Sequence, residues 1–201
     1  ERALESADVK CINQACPAQV ESHILHFVSR DAMDIKGLGE KNIAALMEAG
    51  LLHTIADIFR LKEHREELIA QGVVGKEKNT DKLLSAIEEA KKNEPQRLLT
   101  GLGIPGIGKA AAVALMQHFK TGEALESADQ GEILAVRDLG DTSAAAIQAY
   151  FQNEGNARIF RELQQLGVAT AMQERTVQGD QLAALTFVVT GTLERFGRKE
   201  I

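Results

Sequence analysis

A short turn made of glycine and one aliphatic residue recurs along this chain, and each time a run of helical spacing follows it. Three copies read IKGLGEKNIAAL from Ile35, IPGIGKAAAVAL from Ile104 and VRDLGDTSAAAI from Val136, the last keeping only the second glycine. A degenerate copy with an extra residue, QGVVGKEKNTDKLL, starts at Gln71. With Gly39, Gly75, Gly108 and Gly140 as markers, the intervals are 36, 33 and 32 residues, a period that signals a repeated supersecondary unit. Apolar residues stand before each turn and return after it at helical spacing, as Ile43, Leu46 and Met47 in the first copy and Val113, Leu115 and Met116 in the third. Each unit is therefore expected to be helix, tight turn, helix, and two units packed together bury both apolar faces.

Composition agrees with a mainly α fold. The 201 residues are 44% hydrophobic but only 4% aromatic, with no Trp, and their abundance of Ala, Leu, Glu and Gln favours many short helices over a β-sandwich. Pro17 and Pro95 are placed to open helices, Thr54 with Asp57 to form a capping box, and Gly50 and Gly167 to close helices. No apolar run approaches the roughly 18 residues of a membrane span, and the start ERALESADVK lacks the regions of a secretory signal. A cytoplasmic location with no membrane partner is expected. The chain starts at Glu1 and stops at Ile201 inside a charged segment, so it reads as a piece of something longer.

Val168 to Gln181 is polar and weakly patterned, as a linker would be. Beyond it LTFVVTGTL, residues 185–193, is β-branched and apolar and predicts a buried strand with a turn at Thr190 and Gly191, too short a stub to form a sheet alone.

Three chemistries compete for the glycine turns. Gly103, Gly108 and Lys109 spell the GxxxxGK of a P-loop, but Ala110 stands where Ser or Thr would hold Mg²⁺, and the preceding RLLTGLGI reads as helix rather than strand. A dinucleotide fingerprint fails for the same missing strand. A turn without Cβ atoms also lets a phosphate oxygen approach the amides at the next helix's N-terminus, with the middle aliphatic residue turned into the core. Lys109 follows its glycine at once and Lys41 after one glutamate, each adding charge near the same anion. The plain alternative, a tight helix connection and nothing more, serves as well for a single copy; several copies at this spacing, two with a basic residue close behind, favour phosphate. The net charge of -6 weighs against bulk electrostatic binding of nucleic acid, but backbone amides need no basic side chains.

The repeated pattern resembles the helix-hairpin-helix motif, which in that family binds the DNA backbone without reading sequence, usually across the minor groove. Arg137 and Asp138 replace the glycine-aliphatic entry of the fourth copy, and Val74 with Gly75 disturbs the second, so these two are candidates for a structural role alone. The stretch GKEK from Gly75 carries a local charge of +1 and RDLGD from Arg137 a charge of -1. The fourth copy would therefore lean on amides and on the Thr142 and Ser143 hydroxyls.

Cys11 and Cys16 make a C-x4-C pair, two of the four thiolates of a structural zinc. His23 and His26 lie downstream, but the six residues between Cys16 and His23 fall far short of the roughly 12 of a finger with two histidines, and VESHILHF reads as a helix where such residues fill surface or core. A four-cysteine site with its first pair upstream is the preferred reading; without that pair the thiols could be free, disulfide-linked or bound to adventitious metal.

Taken in order, CINQACPAQ, HFVSRDAMDIKGLGEK, LLTGLGIPGIGK and FVVTGTL resemble the bacterial NAD⁺-dependent DNA ligases over essentially the whole chain. The resemblance implies the second half of a four-cysteine zinc finger at 1–19, four helix-hairpin-helix units, two of them degenerate, at 20–170, a linker at 171–181 and the truncated start of a BRCT domain at 182–201. It implies nick sealing in duplex DNA by AMP transfer from NAD⁺ through a lysine of a KxDG motif. No KxDG and no Asp-Gly pair occurs here, so NAD⁺, Mg²⁺ and the catalytic lysine are expected on catalytic domains elsewhere in the parent chain, which with nicked DNA are the expected partners. Carried over by motif, the DNA contacts are Gly37, Gly39, Lys41, Gly106, Gly108 and Lys109, with Gly75, Lys76, Gly140, Thr142 and Ser143 behind them; the metal ligands are Cys11 and Cys16; Thr190 and Gly191 remain unassigned. Two other classes compete. A helical scaffold that binds protein would show no salt-dependent affinity for duplex DNA. A glycosylase on the same frame needs a catalytic Asp or Lys beside one strong hairpin, and four copies argue against it.

Overall fold

A computed structural model describes residues 16–173; Cys11 and the strand expected at 185–193 lie outside them. Helix α1 (Pro17–Val28) has Pro17 at its first position, where the missing N–H costs nothing, and turns Ile24, Phe27 and Val28 inward. Helix α2 (Glu40–Glu48) buries Ile43 and Leu46, and Gly50 in a left-handed conformation closes it. A 3-10 segment, Asp57–His64, follows and buries Ile58, Phe59 and Leu61. Next come α3 (Arg65–Gln71) and α4 (Glu77–Ala90), the latter turning Leu83, Leu84 and Ile87 inward at helical spacing. Helices α5 (Pro95–Gly101) and α6 (Lys109–Phe119) pack on each other, and α1 packs on both α2 and α5. The chain continues through the short α7 (Gly122–Ser127) and α8 (Gln130–Leu134) to α9 (Asp141–Gln152) and α10 (Glu154–Gln165).

Four helix pairs, α1/α2, α3/α4, α5/α6 and α8/α9, thus carry the four turns that the glycine period marks. One core runs from Ile24 through Leu98 and Leu115 to Leu163 and Val168. Phe27 and Phe59 meet edge to face at 6.1 Å, and the Arg60 guanidinium bonds Glu162 at 3.1 Å, tying the 3-10 segment to α10. His23 and His26 are fastened too, with Nε2 3.1 Å from the Leu102 carbonyl and 2.9 Å from that of Thr100. Those carbonyls lie at the end of α5: His23 meets the Leu102 acceptor, and His26 adds a second partner to the Thr100 carbonyl, which also accepts from the Gly103 amide.

Two local expectations change. Thr54 and Asp57 do not form a reciprocal box: the Asp57 carboxylate accepts from the amides of His53 and Thr54 and from the Thr54 hydroxyl, and a 3-10 segment follows instead of an α-helix. The reciprocal box belongs to Asp129 and Glu132 at the start of α8. The segment from Val168 is no free linker up to Met172: Val168 is buried, the Ala169 amide bonds the Lys91 carbonyl, Gly122 donates to Thr170, and Met172 donates to Lys120. Val168 has left-handed Gly167 before it to end α10 and reverse the chain onto the core.

Candidate nucleic-acid interface

How each helix begins separates the hairpins from the rest. An α-helix starts with amides that have no partner inside it, and a capping side chain, a proline or a ligand normally deals with them. Helix α1 and α5 open on proline, α3 continues from the 3-10 segment, and α7, α8 and α10 are capped by the side chains of Thr121, Asp129 and Asn153. The second helices of the four pairs have neither device: α2, α4, α6 and α9 start after Gly39, Lys76, Gly108 and Gly140, all extended, and no side chain caps them. These residues are exposed, so the uncapped ends face outward.

The turns share a build. Two residues before the cap, Gly37 and Gly106 take φ of +97° and +78°, a region costly for a residue with Cβ. Asp138 takes the same place in the fourth turn at +63°, so the sequence changes there while the backbone path is kept; a short polar side chain tolerates that conformation. In the second turn the left-handed glycine is Gly75, one residue before the cap. The equivalent of Gly39 is therefore Lys76 rather than Gly75, and between its left-handed glycine and its cap this turn is one residue shorter than the others, not longer as the sequence pattern suggests. Leu38, Val74 and Ile107 are buried and Leu139 half-buried, each anchoring its turn to the core.

The third position of α2, α4 and α9 lies over a turn. Asn42 Nδ2 donates to the Gly37 carbonyl at 2.7 Å, and a Cβ on Gly75 would sit 2.8 Å from Asn79 Nδ2. Ser143, half-buried, lies beside Gly106, whose added Cβ would meet its Oγ at 3.7 Å. The third and fourth turns are thus neighbours, as are the first turn and α4, since Gly37 abuts Leu83. Thr142 is exposed on the first turn of α9.

Charge differs from turn to turn. Glu40, Glu77 and Asp141 stand in the first turns of α2, α4 and α9, and α6 has no acid there. An open groove of about 530 Å³, lined by His26, Gly103, Ile104, Gly106, Ile107 and Gly108, runs along that third turn. Lys41 and Lys76 are exposed and make no ion pair among the described residues. Lys109 is exposed too, but its ammonium is paired with the Asp31 carboxylate, and this holds Asp31 below the usual carboxylate range. Arg65 is committed to Asp81 at 2.7 Å and Glu77 at 3.1 Å, which brace α3 against α4. Cys16 is the residue before α1, and its expected partner Cys11 lies outside the described residues. Among those residues no three His, Cys, Asp or Glu side chains gather as a metal site; His23 and His26 are engaged with carbonyls instead.

Paired helices joined by glycine turns that present uncapped N-termini define a helix-hairpin-helix protein, and residues 97–170 match the family model of the helix-hairpin-helix motif. Over 197 residues, 96% of its length, the chain is 41% identical to a protein of Bacillus licheniformis named DNA ligase, of which it spans 29%. The chain belongs with the bacterial DNA ligases, as a portion of one. No helix among the described residues is long and apolar enough to cross a membrane.

Proposed function

We propose that this chain is the DNA-gripping portion of an NAD⁺-dependent ligase that seals nicks in duplex DNA. It holds the sugar-phosphate backbone on the amides of its hairpins, without sequence preference, and contributes no reacting group. One observation carries the reading: Gly39, Gly108 and Gly140 have no atom within 4 Å of where a Cβ would stand, and their φ values of -84°, -92° and -110° are open to any residue. Nothing inside the fold calls for glycine at these three places. What the missing side chain does is clear the path to the uncapped amides behind it, which suits an anion arriving from outside. Phosphate contacts of this kind set position and register, not sequence.

The contact residues in this reading are Gly37, Gly39, Lys41, Gly106, Gly108 and Lys109, with Gly75, Lys76, Gly140, Thr142 and Ser143 completing the surface. NAD⁺, Mg²⁺ and the lysine that carries AMP belong to catalytic domains of the parent chain, because no KxDG sequence occurs in these 201 residues. Cys11 and Cys16 supply two thiolates to a structural zinc, half of a tetrahedral set. Soft thiolates at this spacing suit that metal, and Cys16 at the start of α1 would fix the finger to the first helix pair.

Titrating the chain into nicked and intact duplexes of unrelated sequence, at several salt concentrations, tests the proposal. Affinities that ignore sequence, with the logarithm of the binding constant falling linearly with the logarithm of salt, are expected. An affinity for duplex DNA that is absent or indifferent to salt would instead point to a scaffold for protein.

A further inference from the structure

The pair Lys109–Asp31 joins residues 78 apart in sequence. Lys109 is the first residue of α6, at the third turn, and Asp31 stands in the connection between α1 and α2, next to the first turn. Asp31 is also close enough to Arg30 and Arg97 for their charges to favour its ionised form. Arg97 is pinned there: its Nη2 donates to the Arg30 carbonyl at 2.8 Å, while its Nε is buried without a partner. One carboxylate thus sits among three cations at the edge of the groove beside Gly106 and Gly108.

We propose that Asp31 is a built-in competitor for the DNA phosphate at the third turn. In the free protein its carboxylate occupies the lysine that a backbone phosphate would otherwise engage; on binding, the phosphate takes Lys109 and Asp31 is displaced. The inference rests on the phosphate-gripping reading of the hairpins. Two features make the exchange easy. The side chains of Lys109 and Asp31 are 59% and 70% exposed, so water screens the pair and holds it weakly. Once released, the carboxylate remains beside Arg30 and Arg97, so no unpaired anion is stranded. The consequence is a loosened grip: each binding event breaks an internal ion pair, and the net number of charges neutralised on DNA is lower by about one than the lysines of the turns suggest. A protein that must hold a nick without sequence preference and then let go of it gains from such a brake.

The experiment compares Asp31→Asn with the unchanged chain, binding a labelled nicked duplex across a range of salt. Glu154→Gln serves as control, since this exposed acid opens α10 beyond the far end of α9, about 18 Å from the fourth turn by helix rise. Lys109→Ala reports whether phosphate engages this lysine. Asp31→Asn should bind about threefold tighter at low salt and steepen the logarithmic salt slope by up to about 0.9, with Glu154→Gln close to the unchanged chain and Lys109→Ala weaker. An Asp31→Asn protein that binds no tighter, or a gain matched by Glu154→Gln, overturns the proposal while leaving the hairpin reading intact. If Lys109→Ala leaves affinity untouched, no phosphate engages this lysine and the proposal fails; loss of salt-dependent duplex binding by the unchanged chain is what overturns the amide grip beneath it. Each variant alters an exposed side chain, and matching melting curves establish that all remain folded.

Discussion

Gly122 and Gly108 each stand at the start of a helix, and the surroundings of the two could hardly differ more. A Cβ on Gly122 would lie 2.4 Å from the Phe160 ring, so the absence of a side chain is demanded by α10 packing against α7. Gly101 is of the same kind, its added Cβ falling 2.9 Å from the Phe27 ring. Around Gly108, as around Gly39 and Gly140, there is open space. The starts of the helices divide the same way: Thr121 caps the helix of Gly122 through its hydroxyl, while the helix of Gly108 has no capping side chain. Interior glycines here answer to the fold, whereas nothing inside the fold accounts for the glycines at the hairpin ends.

Substitutions should separate these two kinds of glycine. Gly122→Ala is expected to have the largest effect, a loss of about 3 kcal/mol read as a fall in melting temperature, because the new methyl group overpacks a buried aromatic contact. An unshifted melt would mean that α7 and α10 are not packed as described. Gly108→Val should do the opposite: melting changes by no more than about 1 kcal/mol, the scale of an unfavourable cap residue, while affinity for duplex DNA falls about tenfold. Helicity retained together with full DNA affinity would remove the distinction drawn between the two sites.

Within the hairpins, Asp138→Gly restores the glycine that the fourth turn lacks and removes a negative charge from it. About twofold tighter DNA binding is expected from fluorescence anisotropy, and no gain would mean that this turn keeps away from DNA. The smallest effect concerns the tie between α1 and the end of α5. Burial pushes the His23 imidazole below its ordinary value of 6.5, more than its bond to the Leu102 carbonyl raises it. The unfolded chain then binds the proton more readily than the folded one. The stabilisation is full above about pH 6.5 and is lost as pH falls towards the lowered native value. Urea unfolding should show a decline below pH 6.5 that shrinks in His23→Gln; an unchanged decline would assign it to other groups.

Much of this architecture could be read before any coordinates, because its signals are local. Pro17, Pro95, Gly50 and Gly167 bound helices as their chemistry dictates, and Gly39, Gly108 and Gly140 stand as caps of the helices that follow them. The Asp129–Glu132 box is equally legible as D-x-x-E ahead of Ile133. Thr54 and Asp57 offered a similar pattern, but the carboxylate gathers the amides of His53 and Thr54 and starts a tighter 3-10 turn. Tertiary facts left no local trace. The segment after Val168 is held through Ala169 and Met172 by carbonyls of Lys91 and Lys120, and the pairing of Lys109 with Asp31 depends on how α1 lies against α5. In the second turn Gly75 takes the left-handed place and the cap falls on Lys76, one residue closer to it than in the other turns, which the glycine spacing alone does not show.

The most direct test is an amide nuclear-resonance titration of the ¹⁵N-labelled chain with a nicked duplex. Shifts should concentrate on the first-turn amides of α2, α6 and α9, with α4 weaker, and spare those of α7, α8 and α10, whose capping side chains already hold them. Equal shifts at capped and uncapped helix starts, or shifts confined to lysine side chains, would contradict a grip made by bare helix ends.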